Sequence, residues 1–233
     1  MIVVEENHSY TQTITQPYLQ SLARIGANFT NAHGITHPSQ PNYLALWSGS
    51  NHGITSDACP VNLGSTPSLG SQVGATIYSE SLPSAGYLGC ASGAYARKHN
   101  PLADFTATRN SAHDKPFSAF PTTYADLPPV SMVVPNLHDD MHDGSVAAGD
   151  TWLKNHLSGY ATWAMTHNSV LIVTFDEDNG TSTNGILTVI VGQHVAPGNY
   201  STRITHYNVL TTIEKAYGVP ALSSASPITG VWK

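Results

Sequence analysis

The sequence predicts an α/β sandwich with a largely parallel central sheet. Short runs of β-branched and aliphatic residues alternate with longer stretches whose apolar residues recur at helical spacing, and three of the strand-like runs end in polar clusters. In chain order, Ile2-Val3-Val4 reads as a buried parallel strand whose carboxyl end carries Glu5-Glu6-Asn7. Tyr18, Leu19, Leu22 and Ile25 give a helix over 17–26. A second helix opens at Ser39, carries Tyr43-Leu44-Ala45-Leu46-Trp47 and stops at Ser48-Gly49-Ser50. Residues 49–72, rich in Gly, Ser and Pro, read as loop, and helical character returns over Val73–Leu82 to end at Pro83. Residues 96–128 have little periodicity and read as an irregular excursion that covers something. Val130–Val134 is the next strand, followed by the polar run His138 to Asp143. Trp152, Leu153, Leu157 and Trp163 supply the apolar face of a helix over 146–166. Val170–Phe175 is a strong buried strand ending in Asp176-Glu177-Asp178, Ile186–Val191 is another strand, and Val209, Leu210 and Ile213 mark a helix over 205–216. No internal repeat is visible, and residues 1–233 read as a single domain.

Composition narrows the function classes. Apolar residues make up 40% of the chain and charged residues 10%, with a mean hydropathy of -0.14, which describes a soluble globular protein. That charged share lies well below the roughly 25% of ordinary soluble proteins. Ser, Thr, Asn, Gly and Pro fill the difference, a mix in keeping with a secreted or periplasmic protein. A net charge of -6 with no Lys/Arg cluster argues against a nucleic-acid partner. No apolar run approaches the ~20 residues of an integral membrane segment. Cys59 and Cys90 are the two cysteines. A disulfide between them would contribute about 3–4 kcal/mol; two buried free thiols are the other reading. No signal peptide precedes the strand that opens the chain, so an export signal has been removed or was never there. The oligomeric state is left open.

Three separate strands end in polar clusters: Glu6-Asn7, His138 to Asp143, and Asp176-Glu177. In parallel α/β sheets ligands bind beyond the carboxyl ends of the strands, so these clusters can converge. Each alone also fits a solvated turn. Ser39 stands at the mouth of a helix, among free backbone N–H groups and at the positive end of the macrodipole, a place suited to a phosphate. It equally fits an ordinary helix cap. Together the groups support phosphoryl transfer. Serine is a weak nucleophile that needs activation, and carboxylates supply hard oxygen ligands for a divalent cation. A histidine then protonates the leaving alkoxide; His142, His138 and His206 are candidates, with His142 favoured by its flanking Asp139, Asp140 and Asp143.

These residues carry a resemblance. Glu6-Asn7-His8-Ser9-Tyr10, His37-Pro38-Ser39-Gln40-Pro41-Asn42-Tyr43, Asp140-Met141-His142-Asp143 and Thr174-Phe175-Asp176-Glu177 resemble the phosphoesterase family. That family holds bacterial acid phosphatases and non-specific phospholipases C, within the alkaline phosphatase superfamily. Tyr95-Ala96-Arg97-Lys98-His99-Asn100-Pro101 and Thr205-His206-Tyr207 extend the likeness across nearly the whole chain. It implies a three-layer, alkaline phosphatase-like α/β sandwich forming one phosphoesterase catalytic domain. It implies one divalent cation of unidentified type, with a second left open. Glu6, Asn7, Asp176 and Glu177 would hold the metal, and Ser39 would be both nucleophile and ligand. His142 and His206 match active-site histidines, while Asn7, Asn42 and His138 fall where substrate is bound. Arg97, Lys98 and His99 fit either the lining of a substrate entrance or a solvated basic patch, with the patch slightly favoured.

Ser39 and Asn42-Tyr43 depart from the threonine and Asn-Arg of the phospholipase branch, which leans the reading towards an acid phosphatase. The expected activity is therefore hydrolysis of a small phosphate monoester through a phosphoseryl intermediate. A phosphodiesterase or phospholipase C is the alternative enzyme, and a secreted phosphate-ester binding protein is the alternative without turnover.

Overall fold

A computed structural model describes residues 1–233. The strands are β1 (Ile2–Glu5), β2 (Ala27–His33), β3 (Thr76–Ser79), β4 (Ala91–Ser92), β5 (Tyr95–Ala96), β6 (Asp114–Pro116), β7 (Ser131–Val134), β8 (Val170–Phe175), β9 (Gly185–Gly192), β10 (Gly198–Tyr200) and β11 (Ile204–Thr205). The helices are α1 (Tyr10–Thr13), α2 (Pro17–Ile25), α3 (Ser39–Ser48), α4 (Leu69–Val73), α5 (Val146–Ala164) and α6 (His206–Tyr217). The strands form a mixed, mostly parallel sheet flanked by helices, the α/β class that the alternation of elements predicts. The chain divides into two compact units. The first is Met1–Gly34, Leu137–Thr205 and Thr229–Lys233; the second is Ile35–Asn136 and His206–Ile228.

In the first unit β1 and β8 run parallel, β9 lies antiparallel to both β8 and β2, and β10 and β11 run parallel to β2. Ile2, Val4, Leu171, Val173, Leu187 and Val189 are buried, which is why these strands read as near-continuous apolar runs. The helix α2 starts without a capping side chain at Gln16. Asp150 of α5 supplies the cap from a distance, accepting the Tyr18 N–H at 3.0 Å and the Leu19 N–H at 2.8 Å. One buried carboxylate thus satisfies two orphan donors and fixes the two helices on each other.

In the second unit β3 lies between β6 and β7, all parallel. Helix α3 is buried on every side, from Ser39 to Ser48, as its unbroken apolar run requires. It ends at Gly49, whose φ of 74° closes the helix. A Cβ there would lie 2.7 Å from the Leu222 backbone, so this close approach needs glycine twice over. A disulfide joins Cys59 and Cys90. Arg97 is buried, donating to the carbonyls of Leu88, Val61 and Ala103 and to Asp104 Oδ1 at 2.9 Å.

Some local expectations are corrected. The helix predicted over Val73–Leu82 is instead the end of α4 followed by strand β3. Thr76-Ile77-Tyr78 is a short buried run, and such runs lack the periodicity that separates strand from helix. Strand β2 was not read from the sequence at all. Its Asn28 is buried because its amide donates to Tyr10 Oη and Asn199 Oδ1, each at 2.8 Å. Within the irregular 96–128 segment, Asp114–Pro116 joins the sheet as β6.

Burial also leaves a pH signature. Asp114 is fully buried; its Oδ1 accepts from Asn100 Nδ2 at 2.9 Å, and its Oδ2 has no partner. Burial pushes this carboxyl up to about 6, against which the Asn100 bond works only partly. A folded value raised above the unfolded one means stability that is complete in acid and declines as pH rises through about 6. Asp114→Asn removes the charge and keeps the Asn100 acceptor. Urea unfolding at neutral pH is expected to show a gain on the order of 1–3 kcal/mol, vanishing in acid. Asp150→Ala is expected to cost about 2–4 kcal/mol in the same measurement, and Asp150→Asn, which keeps one acceptor, about half as much.

Candidate active site

The pairing of β1 with β8 sets the first half of the site. Glu5 lies opposite Phe175 in the parallel register, and the Asp176 N–H donates to Glu5 O at 2.9 Å. Glu6 and Asp176 therefore leave neighbouring strands at the same level. Asn7 turns the chain with a φ of 57°, a left-handed conformation that asparagine tolerates. Its N–H donates to Asp176 Oδ1 at 3.1 Å, joining the two strand ends. The Glu6 N–H donates to Asp140 O at 2.8 Å, which draws in the loop after β7. In that loop Asp140 Oδ1 accepts the His142 N–H at 2.8 Å, and His142 Nδ1 lies 2.7 Å from Asp143 Oδ1. The flanking carboxylates thus orient the imidazole, and a donor atom of His142 comes within 4.8 Å of one of Glu6. His138, on the same loop, is exposed.

The electrostatics of this half are unusual. Glu6, Asp140, Asp176 and Glu177 are all buried, none more than 6% exposed. Every lysine and arginine of the same unit (Arg24, Lys154, Arg203 and Lys233) is exposed. Glu5 shows the consequence. It is fully buried, neither carboxyl oxygen has a partner, and its pKa is driven well above the ordinary range by burial and then by Asp140 and Glu6. Buried like charges of this kind are relieved by protonation or by a cation. Glu6, Asp176 and Glu177, with the Asn7 amide, are hard oxygen donors, and a divalent cation fits that set. Asp178 is different. Its carboxylate is taken up by the N–H and hydroxyl of Thr181 and by the Gly185 N–H, so it shapes the loop.

The second unit carries Ser39. Pro38 occupies the helix cap, and Ser39 is the first residue of α3, 1% exposed. The preceding loop is held by Asn42. Its Oδ1 accepts the N–H groups of Ile35 at 2.7 Å and Thr36 at 3.1 Å, and its Nδ2 donates to the carbonyls of Thr36 at 2.8 Å and Pro38 at 3.1 Å. All of the amide's donors are spent on the loop, so the geometry gives Asn42 a part in placing Ser39. Asp57 Oδ1 accepts the Gln40 N–H at 3.0 Å, and its Oδ2 takes Lys98 Nζ at 3.0 Å. Gln40 Nε2 donates to Asp104 Oδ2 at 3.1 Å, beside Arg97. His99 is buried and stacks on Tyr43 with ring centroids 5.2 Å apart. His206 is buried as the first residue of α6.

The solvated basic patch is therefore overturned: Arg97 is 3% and His99 2% exposed. A run of basic residues looks solvated in sequence, but here three carbonyls and Asp104 accept from the terminal nitrogens of the guanidinium inside the unit. Asp57, which ties Lys98 to the start of α3, was missed. Its only clue in the sequence was the neighbouring Cys59, because a cross-link near a loop restricts where that loop can lie.

Comparison with known proteins fits this arrangement. The Phosphoesterase family model matches residues 3–220. The chain is 49% identical to the phosphatidylinositol-3-phosphatase of Mycobacterium tuberculosis, over 100% of this chain and 82% of that protein. It is 30% identical to the phosphate-repressible acid phosphatase of Penicillium chrysogenum, over 93% of this chain but 58% of the fungal protein. Among solved structures, a protein of the alkaline phosphatase superfamily from Vibrio parahaemolyticus superposes with a TM-score of 0.64 at 13% identity, over 95% of this chain and 68% of that one. That structural likeness establishes a common fold.

The loop before Ser39 gives a direct check. Asn42→Ala removes all four bonds and is expected to lower stability by about 2–4 kcal/mol in urea unfolding. Asn42→Asp keeps the two bonds to Oδ1 and should fall between that variant and the wild type.

Proposed function

The chain belongs to the phosphoesterase family and is a hydrolase of phosphate esters; from that premise we propose that it cleaves phosphoric monoesters with a divalent cation, through a phosphoseryl intermediate on Ser39. One observation supports metal use above the others. Buried Glu6 and Asp176 stand at adjacent strand ends joined by the bond from the Asn7 N–H to Asp176 Oδ1, in a unit whose lysines and arginines are all exposed. In this reading Glu6, Asn7, Ser39, Asp176 and Glu177 would hold the cation. When bound, the cation lowers the pKa of the serine hydroxyl and offsets charge on a phosphoryl oxygen.

The chain's own groups then carry the reaction. Ser39 Oγ, having given its proton to solvent, attacks phosphorus, forming the Oγ–P bond as the bond from phosphorus to the leaving oxygen breaks. His142 or His206 gives that oxygen a proton. Water attacks the phosphoseryl group from the opposite face and gives a proton to the same histidine. The Oγ–P bond breaks in the same step, releasing phosphate, and Oγ takes back a proton from solvent. The amides at the start of α3 stabilise charge on the transferring group. Asn42 places Ser39, and Asn7 and His138 contact the substrate. The two units act as one catalytic domain, with parts of the 96–128 segment covering the site. The relatives' names, acid phosphatase and phosphatidylinositol-3-phosphatase, favour monoesters over diesters. No helix is long and apolar enough to cross a membrane, and the disulfide supports a secreted or periplasmic location.

Hydrolysis of nitrophenyl phosphate tests the proposal. The wild type is expected to lose activity on chelation and regain it with a divalent cation. Ser39→Ala is expected to lower kcat by about 10³-fold or more while the protein stays folded. Near-wild-type turnover by that variant, or turnover indifferent to chelation, would rule the mechanism out. A preference for nitrophenyl phosphorylcholine over the monoester would move the chain to the diesterase side.

A further inference from the structure

Lys98 stands between two buried neighbours in the second unit. On one side Arg97 donates to the carbonyls of Leu88, Val61 and Ala103 and to Asp104. On the other side His99 stacks on Tyr43. Tyr43 follows Ser39 by one helical turn in α3, so the two share a helix face. The stack therefore lays the turn 97–99 along the face that carries Ser39. Between its buried neighbours Lys98 keeps 20% of its side chain exposed, and its Nζ lies 3.0 Å from Asp57 Oδ2. The other oxygen of that carboxylate accepts the Gln40 N–H at 3.0 Å. One carboxylate thus separates the Lys98 ammonium from the residue after Ser39. The two segments that meet there are joined again close by. Cys59, just beyond Asp57, is cross-linked to Cys90, and the Arg97 N–H donates to Cys90 O at 3.0 Å.

We propose that Lys98 is a substrate-binding residue that contacts a non-bridging phosphoryl oxygen and so selects monoesters over diesters. The proposal rests on the reading of Ser39 as the nucleophile. Folding alone does not account for the arrangement, because an ion pair this exposed is screened by solvent and adds little to stability. What the pair does is fix a positive charge at the start of α3. The helix start is short of donors there. Pro41 has no N–H, and the Gln40 N–H is taken by Asp57. Two of the first three positions of α3 therefore offer a phosphoryl group no amide.

Charge gives the selectivity. Near neutral pH a phosphate monoester carries close to two negative charges on three non-bridging oxygens. A diester carries one charge on two such oxygens, so a fixed cation gains more from the monoester. Arg97 is the other cation beside α3, but its terminal nitrogens are directed to carbonyls and Asp104 inside the unit. Lys98 reaches solvent, and an ammonium has three rotatable donors on a flexible stem. That lets one group serve Asp57 and a phosphoryl oxygen at once. Asp57 is then a positioning residue, aiming Lys98 at the helix start while it holds Gln40.

Turnover of nitrophenyl phosphate and of bis(nitrophenyl) phosphate, with inhibition by inorganic phosphate, tests the assignment. Lys98→Met removes the charge and keeps most of the stem. It is expected to lower kcat/KM for the monoester by on the order of 100-fold and for the diester by only a few-fold. Inhibition by phosphate should weaken about 10-fold or more in the same variant. Lys98→Arg, which keeps a positive charge, should recover much of both. A lysine that only braces α3 would lower the two esters by one factor and leave phosphate inhibition where it was. Equal losses on the two esters, unchanged phosphate inhibition, or a Lys98→Arg variant as poor as Lys98→Met would overturn the assignment. Should wild type leave the diester untouched, phosphate inhibition decides alone. Failure of the nucleophile reading shows separately, as turnover that survives Ser39→Ala with Lys98 intact.

Discussion

The parallel pairing of β1 with β8 is the constraint from which the candidate site follows. A parallel register brings the carboxyl ends of two strands to one level, and the bond from the Asp176 N–H to Glu5 O locks that level. Glu6, Asn7, Asp176 and Glu177 are then neighbours without any of them having to reach. A slip of one residue would turn Glu6 or Asp176 to the other face of the sheet and separate them. The apolar runs Ile2-Val3-Val4 and Val170–Phe175 therefore do two things. They drive burial of the sheet, and they deliver carboxylates to an edge where burial makes the charges costly.

That cost has a chemical consequence. Carboxylates closed off from water and from same-unit lysines and arginines raise one another's proton affinity, as Glu5 shows in the extreme. Protonation or a bound cation would relieve such charges. In the second unit the logic is the reverse. There the polar groups around α3 bond to neighbours: Asn42 to its loop, the Gln40 N–H and Nε2 to Asp57 and Asp104, and the terminal nitrogens of Arg97 to carbonyls and Asp104. These bonds hold the loop and the helix start on either side of Ser39.

Much of this was legible in the chain. Parallel strands buried on both faces announce themselves as apolar runs, and their ends as abrupt polar clusters, so β1, β7 and β8 and the residues following them could be read directly. Helix α3 was legible from its unbroken apolar core and its Gly49 stop. What stayed hidden depends on contacts distant in sequence. Strand β2 hides Asn28 behind partners at Tyr10 and Asn199, and β3 is too short for periodicity to separate strand from helix. The basic run at 97–99 reads as surface because nothing local reveals the carbonyls and Asp104 that neutralise it. Asp57 looks like a loop residue and Asn42 like a substrate contact; the bonds that make them positioning groups show only when the fold is in hand. The resemblance to the phosphoesterase family supplied roles for residues whose local context gave only chemistry.

The central claim is that the acidic strand ends form a cation site at the serine. Anomalous diffraction from crystals grown with Mn²⁺ measures this most directly. The account predicts one strong peak with oxygens of Glu6, Asn7, Asp176 and Glu177, and Ser39 Oγ, at about 2.0–2.6 Å, the range of hard oxygen ligands. Fully occupied Mn²⁺ bound elsewhere, with Ser39 far from any ion, would contradict it.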